Sequence, residues 1–348
     1  ALMRLERYDE AAQAYERAFE LDPSEVDPIV NKGAAFSRAE RLDEAEAEYR
    51  RAIALGPDNP RGYMELGSLL LQDLDQPERA LEQYRRAVEV APDSTPAHYR
   101  LAGALKDRGR IDGAIEYYGR AVELDPDRVW NVVRLCDAYI RRGDIEAAFD
   151  VLRDAGEAFP DDEIGALAME WAYALTCSGD LEQARERLAE SESKGDDEYR
   201  VVIGRASVRA ALGDYEEAIA EARRGIELEP DGLTPRVVIG TVRGFEGRFE
   251  EAEAPLLEAL EEPPEYAVTR LALAWCLARM ERQDEAREQL AQVHDELALP
   301  YRSTTTYYFA GLAYRALGDT DRANEFFRTA TQRWPKHPWS EKMRGMMQ

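Results

Sequence analysis

The stretch "LDEAEAEYRRAIALGPDNP" (residues 42–60) decides the fold, because segments of similar sequence recur along the chain. Close copies are "YDEAAQAYERAFELDPS" (8–24) and "IDGAIEYYGRAVELDPD" (111–127). A catalytic site is seldom repeated along one chain, whereas a unit that stacks on copies of itself must be. The stretch therefore predicts an array of similar structural repeats.

The pattern shared by these copies is Ala-x3-(Tyr/Phe/Leu)-x2-Ala, and it is met ten times, more loosely in the second half of the chain. Successive copies start 34 to 37 residues apart, a period typical of solenoids. Residues at i, i+4 and i+7 share one face of a helix, where small alanines let another helix approach closely. We number the repeats one to ten by their leading alanines, which are Ala11, Ala45, Ala80, Ala114, Ala148, Ala184, Ala218, Ala252, Ala286 and Ala323.

Turn signals lie on both sides of each motif. Segments such as "RGDIEAA" precede it, with a glycine suited to the left-handed residue that ends a helix and an aspartate that can cap the next one. The glycines are Gly143, Gly213, Gly247 and Gly318. A proline, which cannot continue a helix, follows the motif at Pro23, Pro57, Pro92, Pro126, Pro160, Pro230 and Pro335. Each repeat is thus predicted as a first helix, a tight turn, a second helix and a proline break.

This organisation resembles the tetratricopeptide repeat (TPR) family over nearly the whole chain. The third repeat reads Tyr63, Leu66-Gly67, Leu70, Ala80, Tyr84, Pro92, and the tenth reads Tyr307, Ala310-Gly311, Tyr314, Ala323, Phe327, Pro335. The resemblance implies an all-α fold, a right-handed superhelical solenoid of antiparallel helix pairs. About nine complete repeats are expected, with partial ones at both ends.

Departures from the period suggest a division of the array. The sixth repeat has two extra residues at "TCSGD" and runs into "AESESKGDDEYR" without a proline. We therefore predict an N-terminal array over residues 1–190, an irregular linker or bend over 191–198, and a second array over 199–348. The alternative is that the array simply tolerates a surface insertion here. The chain also starts inside a first helix and begins another after Pro338, so self-association through these unfinished ends is an open expectation.

The net charge of −25 argues against nucleic acid as a partner, since a polyanion is bound by clustered Lys and Arg. Forty of the 45 basic residues are Arg, which fits either a salt-loving source or a GC-rich genome. No apolar run reaches the roughly 18 residues of a membrane span, so no membrane insertion is expected. The location is otherwise unknown. Free cysteines and the lack of a visible signal segment favour the cytoplasm.

The chain offers no recognisable catalytic chemistry. Cys136, Cys177 and Cys276 share no short spacing and are expected as small buried hydrophobes, and the three histidines lie far apart, so no metal or cofactor is predicted. Glycines come singly rather than in a phosphate-binding loop, and acidic runs such as "EEAEA" lie on expected solvated faces. We predict that this segment is not an enzyme.

The TPR resemblance implies that first helices line a concave groove, facing it with the second, fifth, ninth, twelfth and thirteenth residues of each repeat. These positions hold seven basic and three acidic residues beside several aromatics, so the groove is predicted to be apolar and mildly basic. The predicted groove residues are Arg61, Met64, Tyr99, Trp130, Val133, Arg141, Leu167, Trp171, Arg200, Ile203, Phe245, Leu271, Trp275, Arg279, Tyr308 and Arg315.

Aromatic anchors among arginines suit a peptide of a partner protein that carries acidic residues. The chain is therefore predicted to be a protein-protein interaction scaffold, although some aromatics could instead pack between helices. Asn31, Arg61, Arg100 and Arg134 do not reproduce the carboxylate clamp of some TPR proteins. One alternative is a docking or regulatory region of a larger enzyme, such as a glycosyl- or sulfotransferase, whose catalytic domain lies outside this segment. A related RNA-reading repeat is disfavoured by the acidic charge.

Overall fold

The structure, a computed structural model, describes residues 2–158, 164–195, 198–261, 267–297 and 302–347. Within these ranges every regular element is a helix, and strands are absent. A 3₁₀ turn (Leu2–Leu5) comes before α1, and a short helix, α18 (His294–Leu297), comes before repeat ten. The all-α prediction is confirmed.

Helices alternate along the chain as the repeats predict. The first helices of repeats two to ten are α2 (Asp27–Arg38), α4 (Pro60–Gln72), α6 (Thr95–Asp107), α8 (Val129–Arg142), α10 (Ile164–Ser178), α12 (Tyr199–Leu212), α14 (Thr234–Phe245), α16 (Ala267–Arg279) and α19 (Thr304–Ala316). The second helices of repeats one to ten are α1 (Tyr8–Leu21), α3 (Leu42–Leu55), α5 (Pro77–Val90), α7 (Ile111–Leu124), α9 (Ile145–Ala158), α11 (Leu181–Ser193), α13 (Tyr215–Leu228), α15 (Phe249–Glu258), α17 (Gln283–Gln292) and α20 (Thr320–Arg333). A last helix, α21 (Pro338–Met347), follows repeat ten.

Two compact bodies make up the chain, an N-terminal body (Ala1–Asn131) and a C-terminal body (Val132–Gln348). At the predicted linker, α11 continues to Ser193, Lys194 and Gly195 form a turn, and residues 196–197 lie outside the described ranges. The division into arrays 1–190 and 199–348 stays a prediction.

The repeated motif forms the core of each helix pair. In repeat two, Ala45, Tyr49 and Ala52 are all buried, and the corresponding residues of repeats three to ten are buried as well. The tyrosine ring lies against a glycine of the first helix: a Cβ added to Gly33 would stand 2.7 Å from Cε1 of Tyr49. Small and large side chains therefore alternate across the contact, which is why the pattern recurs.

The turns between paired helices have the predicted left-handed residue. Gly143, Gly213, Gly247 and Gly318 have φ values between 77° and 92°. Glu40, Asp75 and Glu281 take the corresponding position in repeats two, three and nine, also with positive φ. The period therefore depends on the turn conformation more than on glycine itself.

The predicted caps form in part. Asp180 and Asp319 each accept a hydrogen bond from a backbone N–H of the following helix. Asp214 makes no such bond and is instead ion-paired with Arg185 at 3.0 Å.

All three cysteines are buried and free, as predicted, and burial raises the pKa of each thiol. Of the proline breaks, Pro160 lies outside the described ranges. No α-helix in the described part of the chain combines the length and the apolar character needed to cross a bilayer.

Candidate interaction surface

Within each body, first helices of neighbouring repeats lie side by side, and we call the surface they present the first-helix wall of that body. The contacts join α2, α4 and α6 in the N-terminal body and α10, α12, α14, α16 and α19 in the C-terminal body. In the N-terminal body this wall is polar and internally paired. Arg61 donates to Asn31 Oδ1 at 2.5 Å and forms an ion pair with Asp27 at 3.0 Å. Arg100 donates to Ser68 and to Glu65, the latter at 3.1 Å. Each arginine thus links its own first helix to the preceding one.

Three other predicted groove residues lie in the same body. Tyr99 is half-buried and meets Tyr118 edge-on, with ring centroids 5.7 Å apart. Trp130 is also half-buried. Met64 is buried against Ala87 and Ala97, so it belongs to the core. The accessible predicted residues here are Arg61, Tyr99 and Trp130.

A charged cluster that the sequence did not reveal joins the first three helices. Lys32 on α2 lies 2.7 Å from Glu16 on α1 and 2.8 Å from Glu48 on α3. Arg51 reaches Glu16 at 2.9 Å, and its hydrogen bonds, with those of Lys32, lower the Glu16 pKa to about 2. These residues stand 16 to 35 positions apart, so no local motif announces them.

In the C-terminal body the first-helix wall is aromatic, and Phe245 is its centre. The Phe245 ring lies 5.8 Å from that of Trp275, 6.0 Å from Tyr308 and 5.3 Å from Phe309. These residues come from α14, α16 and α19, so the first helices of repeats eight, nine and ten converge on one cluster. Trp275 and Tyr308 are only 7% and 4% exposed.

Helix α21 packs on this cluster. Trp339 stacks on Tyr308 with ring centroids 4.7 Å apart and planes 18° apart, and it lies 5.7 Å from Phe245. Trp339 and Met343 are buried. Helix α21 also contacts α12, the first helix of repeat seven. A helix that follows repeat ten therefore lies on first helices as far back as repeat seven.

The segment before α21 is fixed at a more distant point of the same body. Trp334 is 1% exposed, and its indole Nε1 donates to the backbone oxygen of Ile140 on α8 at 2.8 Å. Arg333 and Lys336 lie against the turns at Gly143 and Gly179. The end of repeat ten thus meets repeats five and six.

Burial changes the interpretation of several predicted groove residues. Each was predicted to face an open groove, and each packs inside the C-terminal body instead, because neighbouring helices close over it. Ile203, for example, would stand 2.4 Å from a Cβ at Gly225 on α13. The buried residues are Val133, Leu167, Ile203, Leu271, Trp275 and Tyr308. Peptide binding by the wall stays a prediction.

Trp171 lies against second helices. Its ring stacks on Phe149 of α9 with centroids 5.3 Å apart, and the Arg187 guanidinium of α11 lies over the ring at 5.3 Å. This contact accounts for its half-buried state.

The predicted basic residues of the C-terminal body are at its surface. Arg141 bonds to Asp137 at 2.9 Å, Arg279 lies over the Phe249 ring at 4.8 Å, and Arg315 donates to the backbone oxygen of Met346 in α21. Arg200 is exposed. Among the described residues, no group of three or more His, Cys, Asp or Glu side chains could hold a metal ion.

Sequence reasoning recognised the helix that starts at Pro338 but missed its place on the wall. The available signal was the spacing of Trp339 and Met343, which places two large apolar side chains on one helix face.

Comparisons with solved structures give resemblances of low identity. MamA from Desulfovibrio magneticus RS-1 is 22% identical, with 45% of this chain and 88% of that chain covered and a TM-score of 0.37. PilF of Pseudomonas aeruginosa is 17% identical, with 69% and 99% covered and a TM-score of 0.44. A chain in a structure of Naa15/Naa10 bound to HypK-THB is 15% identical, with 99% of this chain and 64% of that chain covered and a TM-score of 0.38. At these TM-scores the resemblances carry no information on function.

Among curated proteins, none matches the sequence. Sequence models of tetratricopeptide repeats do match it. One covers residues 1–60, 30–75, 65–129 and 169–232, a second covers 105–170, and a third covers 304–337. Helix pairs repeated every 34 to 37 residues, left-handed turn residues and a buried Ala/Tyr motif agree with these matches. The chain belongs to the tetratricopeptide repeat family.

Proposed function

We propose that the chain is a protein-protein interaction scaffold that binds a segment of another protein along its first-helix wall. Two properties support this role. The repeats belong to a family of stacked helix pairs, and the motif residues of the second helices are used up in the core. The side chains that differ between repeats are on the first helices, where binding specificity can be encoded.

One observation carries the proposal. In the C-terminal body the wall already holds a polypeptide segment, because α21 lies on it through the Trp339 and Tyr308 stack. A surface that accommodates a helix of its own chain has the shape and the apolar character that a partner segment needs.

Part of the wall in the N-terminal body is accessible. Tyr99 and Trp130 are half-buried aromatic residues, and Arg61 on α4 has a partly exposed guanidinium. Aromatic rings anchor a ligand at low entropic cost, and a guanidinium orients carboxylates. We therefore propose a partner segment with apolar and acidic residues.

The test is affinity capture from a lysate of the source organism with three baits. The first is the intact chain and the second is the wall variant Arg61→Ala/Tyr99→Ala. The third is a matched control, Arg86→Ala/Tyr117→Ala, which removes the same residue types from second helices α5 and α7. A protein retained by the intact chain and the control but lost from the wall variant supports the proposal. Equal retention by all three baits contradicts it.

A further inference from the structure

The wall of the C-terminal body already has an occupant, and the contacts show what kind of segment fits. Helix α21 buries Trp339 and Met343, four residues apart on one face, while Glu341, Lys342 and Arg344 are exposed. Trp339 stacks on Tyr308 of the wall, and the helix also packs along α20. An apolar pair at this spacing is how an amphipathic helix lies in a groove. The apolar pattern of this occupant is therefore an aromatic residue followed four positions later by Met.

The polar contacts of α21 are few, and one of them is the hydrogen bond that Arg344 donates to the Pro335 backbone oxygen. Arg315 donates to the Met346 backbone oxygen, and the Ser340 hydroxyl donates to the Trp334 backbone oxygen at 2.6 Å. The backbone N–H of Trp339 donates to Nδ1 of His337 at 3.2 Å. Trp339 supplies the aromatic stack with the wall, and Met343 is buried on the same face of the helix. A second helix with the same apolar pair could make that contact equally well.

The connecting segment is held by contacts of its own. Trp334 and His337 are both buried, and Trp334 is hydrogen-bonded to α8. A ten-residue helix has little stability apart from its packing, so α21 can leave the wall while Trp334 stays in place.

We propose that the first-helix wall around Phe245, Tyr308 and Trp275 is a helix-binding site, that α21 is its internal occupant, and that the partner is an amphipathic helix of the same apolar pattern that replaces α21. This rests on the proposed scaffold function and specifies its ligand. Because α21 is tethered, its effective concentration at the site is high, and a partner binds only in proportion to the open fraction. The occupant thus sets a threshold for binding.

The test uses a fluorescent peptide with the sequence of residues 333–347, titrated against the full chain. The chain is compared with the variant Trp339→Ala/Met343→Ala, which empties the site, and with the control Glu341→Ala/Lys342→Ala on the exposed side of the same helix. We expect the peptide to bind the emptied variant at least about tenfold more tightly than the wild type or the control. The peptide carrying the same two alanines is expected not to bind.

Equal binding to all three chains, or no binding to the emptied variant, overturns the proposal. If that variant loses helicity by circular dichroism, hydrogen exchange of the wild type decides. Amides of α21 are expected to exchange at least about tenfold faster than those of α19, because α21 opens alone. Exchange of α21 at the α19 rate would make it a fixed part of the body and also overturn the proposal.

Light scattering identifies the remaining occupant, α21 of a second copy. Wild-type dimers that disappear in the emptied variant would mean that copies exchange α21, which overturns the partner helix. The peptide result is independent of the lysate capture. Peptide binding without captured protein leaves the helix site and removes the scaffold role, whereas capture without peptide binding does the reverse.

Discussion

The indole Nε1 of Trp334 donates a hydrogen bond to the backbone carbonyl of Ile140 at 2.8 Å, although 194 positions separate the two residues. Trp334 follows the second helix of repeat ten, and Ile140 lies on the first helix of repeat five. The bond ties the last repeat of the C-terminal body to its first. A regular solenoid, in which each repeat contacts only its neighbours, would not contain it.

Replacing Trp334 by Phe removes this hydrogen bond and leaves a small void. The Ile140 carbonyl keeps the N–H of Gly143 as a donor, so the expected loss of unfolding free energy is about 1–2 kcal/mol. Urea unfolding measures it. Trp171→Phe is the control, because that ring is half-exposed and Phe can keep its stack with Phe149. Equal losses of unfolding free energy in the two variants would show that the hydrogen bond from Trp334 to Ile140 is not formed.

Two glycines of the inter-helix turns independently test the contact of repeat ten with repeats five and six. Gly179 and Gly213 have φ values of 85° and 87°. A Cβ at Gly213 meets nothing within 4 Å, whereas a Cβ at Gly179 would stand 2.6 Å from the Lys336 backbone oxygen. Gly213→Ala should therefore cost only the left-handed penalty, about 1–2 kcal/mol. Gly179→Ala should cost roughly 1 kcal/mol more, and an equal cost by chemical denaturation would place Lys336 elsewhere.

The fit between tyrosine and glycine inside a repeat is testable with a pair of helical glycines. A Cβ at Gly67 would lie 2.7 Å from the Tyr84 ring, whereas one at Gly119 meets nothing within 4 Å. Gly67→Ala should lower the unfolding free energy by about 1–3 kcal/mol, since the ring cannot move away without leaving the core. Gly119→Ala should raise it by about 0.5–1 kcal/mol through helix propensity. Thermal and urea unfolding would give the two signs, and a common sign would contradict the packing described here.

The burial of His337 predicts that the free energy of unfolding of the C-terminal body falls in acid. Burial lowers its pKa from 6.5 to about 3, so the folded body holds the neutral ring. Above pH 6.5 the ring is neutral in the folded and unfolded states, so His337 makes the unfolding free energy little dependent on pH there. Below pH 6.5 the unfolded state takes up the proton first, and stability falls until about pH 3. Between pH 6.5 and pH 5 the expected loss is about 2 kcal/mol.

The variant His337→Asn separates the contribution of His337 from the rest of the pH dependence of unfolding. Asn can still accept the backbone N–H of Trp339, and every other residue is common to both proteins. We expect the wild type to lose about 2 kcal/mol more than the variant over this pH interval. Parallel pH profiles would show that the ring is not buried in the neutral form.

Sequence reasoning reached the helix pairs because their determinants are local. The Ala-x3-Tyr-x2-Ala motif, the turn glycines and the proline breaks each act within a few residues, and the structure confirms the helices around Ala45 and Tyr49. At Glu40 the turn keeps a positive φ without glycine, so even a missing signal did not break the period.

Burial on the wall could not be predicted in the same way. Counting positions within a repeat places Trp275 and Tyr308 on the first helix, but their exposure depends on how far the repeats curve. That curvature brings Phe245, Phe309 and Trp339 around them from repeats eight and ten and from α21. Such contacts span up to 94 positions between Phe245 and Trp339, beyond the reach of any local pattern.

The contact of repeat ten with repeats five and six also affects how cooperatively the C-terminal body unfolds, in contrast to the N-terminal body. In the N-terminal body the contacting helices are close in sequence, so a repeat at one end can open while the next stays folded. In the C-terminal body, separating repeat ten from its neighbours also breaks the contact with repeats five and six. Partial opening there loses two interfaces at once. This body should therefore unfold as a single block, whereas the N-terminal body frays repeat by repeat.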